Sequence, residues 1–252
     1  MPRYIKLAQV ESTNTYLLKV ARELPGGTVI HTPCQTAGRG QKGNRWLATP
    51  GMNATFSYLF KPTEIAAREQ FVISEAASVA VAQVLGELTG RDIKVKWPND
   101  IYHGDHKLCG MLIECSLAGR MVDYAVIGIG INVNQREFDP YAPNPTSLTL
   151  ISGREVSPDE VMRQVCERME LLLRQEQGDR ETWKQQLHEQ YLAHLYRNDG
   201  RPHPFALPDG TLIQASIAGV ELDGTLSLRH ADGTVHHYAF KQVAHVIHQR
   251  TL

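Results

Sequence analysis

Between Leu24 and Thr63 the chain carries neither aspartate nor glutamate, so every formal charge in that run is positive. Ordinary surface loops mix both signs, and a stretch this one-sided is suited to meeting an anion. Other absences narrow the protein further. The four cysteines, Cys34, Cys109, Cys115 and Cys166, form no C-x-x-C pair, which leaves no zinc or disulfide framework to read and fits a reducing cytoplasm. No basic-plus-apolar leader precedes the first strand, and no apolar run approaches a membrane span, since even the run 124–131 contains two glycines. No membrane partner is expected. With 26 Lys+Arg against 27 Asp+Glu the net charge is −1, so no chain-wide basic field points to DNA and any anion site must be local.

What is present begins with size. At 252 residues, 42% apolar and 21% charged, the chain has ordinary globular composition and enough length for one large domain and one small one. Inside the acid-free run lies Gln35-Thr36-Ala37-Gly38-Arg39-Gly40-Gln41-Lys42-Gly43-Asn44-Arg45-Trp46, with three glycines and three cations. Glycines let backbone N–H groups approach a phosphate, and the interleaved Arg and Lys neutralise it. Gly38, Gly40 and Gly43 spell G-x-G-x-x-G, but a dinucleotide loop must open a helix, and Leu47-Ala48-Thr49-Pro50-Gly51 reads as a turn. A Walker A loop needs Gly-Lys-Ser/Thr at its end, whereas Gly43 is followed by Asn44 and Arg45.

Along the chain, residues 4–10 read as a strand, and Ser12 as the N-cap of a helix carrying Leu17, Val20, Ala21 and Leu24. Strands at 28–33 and 53–60 flank the cationic loop. A largely buried helix is expected over 68–89, with Gly90 as its C′ residue. Three strands follow at 93–97, 107–114 and 121–132, the first two joined through Pro98-Asn99-Asp100 and a hairpin turn at Gly104-Asp105. In the third, Ala125, Ile127, Ile129 and Ile131 share one face, while Gly128, Gly130 and Asn132 share the other. Adjacent same-face glycines mean that a ligand or another backbone lies against the strand, or that a helix crosses closely. Residues 134–150 read as loop, 158–175 and 180–196 as helices, 197–204 as a linker, and the Asp-Gly pairs at 209, 223 and 232 as turns of a small β-barrel. Trp97 shares a face with Ile93 and Val95 and reads as packing, which leaves Lys96 on the functional side. His103, Asp105, His106 and Cys109 read as a polar hairpin rather than a metal cluster, and His236 and His237 point to opposite faces.

Five ordered runs, Ser12-Thr13-Asn14, Gln35 through Trp46, Lys96-Trp97-Pro98-Asn99-Asp100, Lys107-Leu108-Cys109-Gly110 and Gly128-Ile129-Gly130-Ile131-Asn132, give the chain a resemblance to the biotin protein ligases over essentially its whole length. The resemblance implies an α+β fold, a mixed β-sheet backed by helices in a class II synthetase-like catalytic domain (residues 1–198), followed by a small C-terminal SH3-like β-barrel (residues 199–252). It implies ATP-dependent activation of biotin to biotinyl-5′-AMP with release of pyrophosphate, then transfer to a lysine of a biotin carboxyl carrier protein, with Mg2+ carried on ATP. Lys107 and Arg39 are the implied catalytic residues. Biotin contacts are implied for Ser12, Thr13, Asn14, Gln35, Gly38, Arg39, Gly40, Gln41, Lys107 and Gly110, and ATP or adenylate contacts for Arg39, Gly40, Gln41, Trp46, Asn99, Gly130 and Asn132. A carboxylate attacking a triphosphate brings two anions together, and fixed cations with N–H donors offset the repulsion. A glycine-rich loop that closes over the product shields a mixed anhydride from water.

The pattern departs from the family in two ways. The chain begins at the catalytic domain, so the monofunctional type without a DNA-binding module is expected, as a monomer or weak homodimer. Gln41 and Asn44 stand where the family's Gly-Arg-Gly-Arg-Arg-Gly-Arg run has arginines. Alternatives are a lipoate or octanoate ligase or transferase of the same superfamily, and a non-catalytic biotin sensor.

Overall fold

The computed structural model describes residues 1–41, 44–140, 142, 144–175 and 178–247. Its larger sheet has seven strands in the order β1-β2-β3-β7-β6-β5-β4. These are β1 (Arg3–Lys6), β2 (Thr28–His31), β3 (Ala54–Phe60), β4 (Lys94–Lys96), β5 (Asp100–His103), β6 (His106–Ala118) and β7 (Met121–Ile131). β1 runs parallel to β2 and the remaining pairs are antiparallel, so the sheet is mixed as expected. Every residue of β3 is buried, because helices cover both of its faces.

On one face lies α2 (Phe71–Thr89), entered through a short 3-10 turn and closed by Gly90, whose φ of 62° is the left-handed conformation a C′ glycine adopts without strain. The stretch Ala67–Thr89 is long and apolar enough to cross a membrane, which corrects the expectation that no run approaches that length. Thirteen side chains of α2 are nevertheless buried inside the protein, against the sheet and against α4 (Pro158–Arg174) and α5 (Arg180–His194). On the other face α1 (Thr13–Val20) buries Leu17 over Ile30, Leu59 and Val126. Ser12 caps α1, its Oγ accepting from the Thr15 N–H as the sequence suggests.

Two local expectations change. Asp100 opens an additional strand, β5, and the expected hairpin at Gly104-Asp105 joins it to β6 with His103 opposite His106. The first strand stops at Lys6, and Val10 makes only a single bridge to Gln35. A short helix, α3 (Leu148–Ser152), closes the loop after β7.

A second, antiparallel sheet follows in the order β11-β10-β9-β8-β12, built from β8 (His203–Ala206), β9 (Leu212–Val220), β10 (Leu226–His230), β11 (Val235–Tyr238) and β12 (Ala244–His245). So small a module buries little alone. Gly224 in its β9–β10 turn packs against the Phe71 ring, and its carbonyl accepts from Trp97 Nε1 at 2.9 Å. The Phe240 ring meets Trp97 edge-on at 5.9 Å. The indole joins the two sheets, and so Trp97 is a packing residue.

Candidate active site

The cationic loop folds back on itself as a ribbon: Gly40 N–H donates to the Asn44 carbonyl (2.7 Å), and Trp46 N–H to that of Gly38 (3.0 Å). A Cβ on Gly38 would lie 2.3 Å from the Trp46 carbonyl oxygen, so only glycine lets the two arms close. Lys42 and Gly43 lie outside the described residues. The ribbon delivers Trp46 onto the bare face of β7. A Cβ on Gly130 would sit 2.3 Å from the indole, and one on Gly110, opposite Gly130 in β6, 3.2 Å from it. Two residues along β7, a Cβ on Gly128 would fall 2.1 Å from the Asn14 side-chain oxygen. The same-face glycines therefore make room for two side chains, one from α1 and one from the loop. Of the readings open at the sequence level, close approach of a helix accounts for Gly128 but not for Gly130.

These residues line a cavity of about 330 Å³ bounded by the loop, the glycine face of the large sheet and the second sheet. Its neutral wall is a connected set. Thr13 donates to Gln35 Oε1 through N–H (2.8 Å) and hydroxyl (3.1 Å), and Ser57 Oγ lies 2.8 Å from Thr13 Oγ1. Asn14 Nδ2 donates to the Leu112 carbonyl (2.9 Å) and to Glu114 (3.0 Å). All of these side chains are interlocked, so the wall is rigid before any ligand arrives.

The cations are held differently. Arg39 Nη2 pairs with Glu114 at 2.9 Å, and Lys107 Nζ with Asp100 Oδ2 at 2.7 Å. Lys96 stands over the Tyr102 ring at 5.4 Å; burial lowers its pKa, opposed by the neighbouring Asp100 carboxylate. Arg45 and, from the second sheet, Lys241 complete the charge, leaving Asp100 as the one carboxylate among the described lining residues. His245 also lines the cavity. Burial, then the nearby Lys96 and Arg197 cations, push its imidazole down to about 3, and neither ring nitrogen has a partner.

Of the residues singled out in the sequence, Ser12, Thr13, Asn14, Gln35, Arg39, Gly40, Gln41, Trp46, Asn99, Lys107, Gly110 and Gly130 line this cavity. Gly38 and Asn132 do not. Gly38 shapes the ribbon and lines a separate space behind Trp46. Asn132 follows the end of β7, where its Nδ2 donates to the Thr146 carbonyl (2.9 Å) and so secures the returning loop. Sequence reasoning gave no role to Ser57, Asp100 or Glu114, nor to the second sheet. Asp100 was flagged by lying inside the Lys96–Asp100 run, whereas nothing local marks Ser57 in an all-buried strand.

Along β7, over the roughly 7 Å that separates alternate strand residues, the floor passes from a neutral hydrogen-bonding group at Gly128 to an aromatic ring and a lysine at Gly130 and Gly110. Such an arrangement suits a ligand that is amide-like at one part and aromatic and anionic at another.

Residues 7–132 match the Biotin/lipoate A/B protein ligase family. The chain is 37% identical over 146 residues to the bifunctional ligase/repressor BirA of Escherichia coli K12, a match covering 57% of this chain and 44% of that protein. It is 32% identical over 164 residues to the biotin–[acetyl-CoA-carboxylase] ligase of Paracoccus denitrificans, covering 62% of this chain and 67% of that one. The solved structure of the biotin protein ligase from Aquifex aeolicus in complex with biotin and ATP superposes with a TM-score of 0.79 at 26% identity, over 97% of this chain and 98% of that chain. The match thus spans less than half the length of the E. coli protein.

Proposed function

The chain belongs to the Biotin/lipoate A/B protein ligase family, and we propose that it is a biotin protein ligase, which joins biotin to AMP and then passes the biotinyl group to a lysine of a carboxylase carrier domain. The observation that carries the reading is the pairing of a rigid neutral wall with cations held next to it by carboxylates, on a floor kept bare by Gly110, Gly128 and Gly130. The similar protein of P. denitrificans bears the name of a biotin ligase, and the A. aeolicus structure holds biotin and ATP.

In this reading residues 1–198 form the catalytic unit and residues 199–252 a barrel that completes its cavity. Ser12, Thr13, Asn14 and Gln35 hydrogen-bond the biotin ring system and tail. The carboxylate of biotin attacks the α-phosphorus of ATP; the bond to the β-phosphate bridging oxygen breaks, and its electron pair leaves with pyrophosphate. Lys107, oriented by Asp100, stabilises charge on the carboxylate and α-phosphate. Arg39 exchanges Glu114 for phosphate, a trade between two anions that costs little electrostatically. Mg2+ enters with the triphosphate, whose oxygens suit a hard cation. In the second half-reaction the carrier lysine amine attacks the acyl carbon and AMP departs. Cytoplasmic location follows from the carrier as substrate.

An ATP–pyrophosphate exchange assay with biotin, lipoate and octanoate in parallel tests the reading. Exchange that depends on biotin alone is expected. Exchange driven by lipoate or octanoate moves the chain to the other branch of the family, and none with any acid leaves a binding protein.

A further inference from the structure

The turn between β11 and β12 places a lysine where the backbone favours glycine. Gln242 N–H donates to the Ala239 carbonyl at 3.0 Å, and Lys241, the third residue of that turn, has φ +74°, the geometry of a type II turn. The Gln242 side chain fixes the turn by accepting from Ala239 N–H at 2.8 Å. An L-residue there costs stability that glycine avoids, and such residues concentrate where function holds them. Lys241 is exposed, lies over the ring of Phe240 (5.8 Å), and lines the cavity from the β11–β12 turn; among the described residues it has no carboxylate within ion-pair distance. Phe240 in turn abuts Trp97, one residue from Lys96. Of the five cations among the described lining residues, Arg39 is paired with Glu114 and Lys107 with Asp100, and the other three, Arg45, Lys96 and Lys241, leave a surplus that calls for a ligand carrying several negative charges.

We propose that Lys241 binds the β- and γ-phosphates of ATP, and hence the departing pyrophosphate, from the barrel side of the cavity. The inference rests on the ligase reading for the identity of the polyanion. Lys107 and Arg39 are already matched by Asp100 and Glu114, whereas Lys241 brings unmatched charge to the bond that breaks, so its effect falls on nucleotide and pyrophosphate binding and not on biotin binding.

The test is Lys241→Gly and Lys241→Arg in the full chain, with binding of magnesium pyrophosphate measured by calorimetry, KM for ATP and for biotin, and Tm. Lys241→Gly is expected to weaken pyrophosphate and raise the ATP KM about tenfold, leave the biotin KM unchanged, and raise Tm by roughly 2–4 °C as the turn relaxes. Lys241→Arg should restore phosphate binding without the gain in Tm. Unchanged pyrophosphate affinity in Lys241→Gly overturns the proposal, as does a wild-type protein that binds neither pyrophosphate nor ATP. Pyrophosphate binding that depends on Lys241 in a protein with no biotin-dependent exchange upholds it and rejects the ligase reading instead.

Discussion

Replacing Gly130 or Gly128 by alanine adds one methyl group to β7, yet the two changes should injure different halves of the cavity. In Gly130→Ala the new Cβ would lie 2.3 Å from the Trp46 indole, whereas carbon atoms rest near 3.5–4.0 Å. Something must retreat by about an ångström or more. The backbone of β7 is paired on both sides by β3 and β6 and cannot, so the indole gives way, being carried on a loop. Overpacking of this kind costs about 1–3 kcal/mol, and the lower part of that range applies because the ring is free to lift. Lifting it off Gly110 and Gly130 should raise the ATP KM about tenfold, near 1.4 kcal/mol, with the biotin KM little changed. In Gly128→Ala the methyl meets Asn14 Oδ1 at 2.1 Å. Asn14 is buried and tied to Leu112, Glu114 and Ser57. Displacing it breaks two or three hydrogen bonds at about 1 kcal/mol each, so this variant should be the less stable and should lose biotin affinity first. Steady-state kinetics with each substrate varied, together with chemical denaturation, separate the cases. If Gly130→Ala raises the biotin KM while Gly128→Ala raises that for ATP, the assignment of the floor is wrong.

Lys107→Ala removes a mostly buried cation and leaves Asp100 unmatched; it should stay folded by circular dichroism and lose at least about a hundredfold in adenylation, and near-normal turnover would return Lys107 to a surface role. Gln41→Arg restores a charged fork at the cavity rim. It should slow adenylate release about tenfold, and unchanged or faster release in stopped flow would mean that loop closure or other cations hold the intermediate. His245, pushed down to about 3 by burial and neighbouring cations, stays neutral in the fold while an unfolded chain protonates it below about 6.5. The unfolded state therefore binds more protons between those values, and stability falls as pH drops through that window, by about 1.4 kcal/mol per unit for this group. His245→Phe, packed against Phe205 and Tyr196, should flatten the decline in denaturation midpoints between pH 6.5 and 4.5; an identical slope would assign it to other groups.

Legibility of this molecule in its sequence followed the range of the interaction. The two-residue alternation of β7 exposed its bare face because a strand's facing is a local property. At Asn132, one residue past β7, the backbone N–H still donates to the Leu108 carbonyl, and the side chain is engaged by the Thr146 carbonyl, a partner that the alternation does not encode. Ser12 was readable as a cap for the same local reason. Which carboxylate meets which cation was not readable: Arg39 with Glu114 and Lys107 with Asp100 depend on strand order and register, which charge spacing does not encode. The second sheet's share was hidden most completely. Lys241 and His245 reach the cavity through the docking of Gly224 and Phe240 on Trp97, a contact across more than a hundred residues of chain. Trp97 announced its packing role by its face but not its partner.

In the proposed function one cavity makes an acyl-adenylate from biotin and then uses it on a lysine. A single turnover with ATP labelled at the α-phosphate, followed by addition of a carboxylase carrier domain, tests both halves in one vessel. Labelled biotinyl-5′-AMP should accumulate on the protein only when biotin is present, and the carrier should discharge it, with one AMP released for each biotinylated lysine. Label that appears as AMP without biotin, or an adenylate that the carrier leaves untouched, would rule out a biotin ligase.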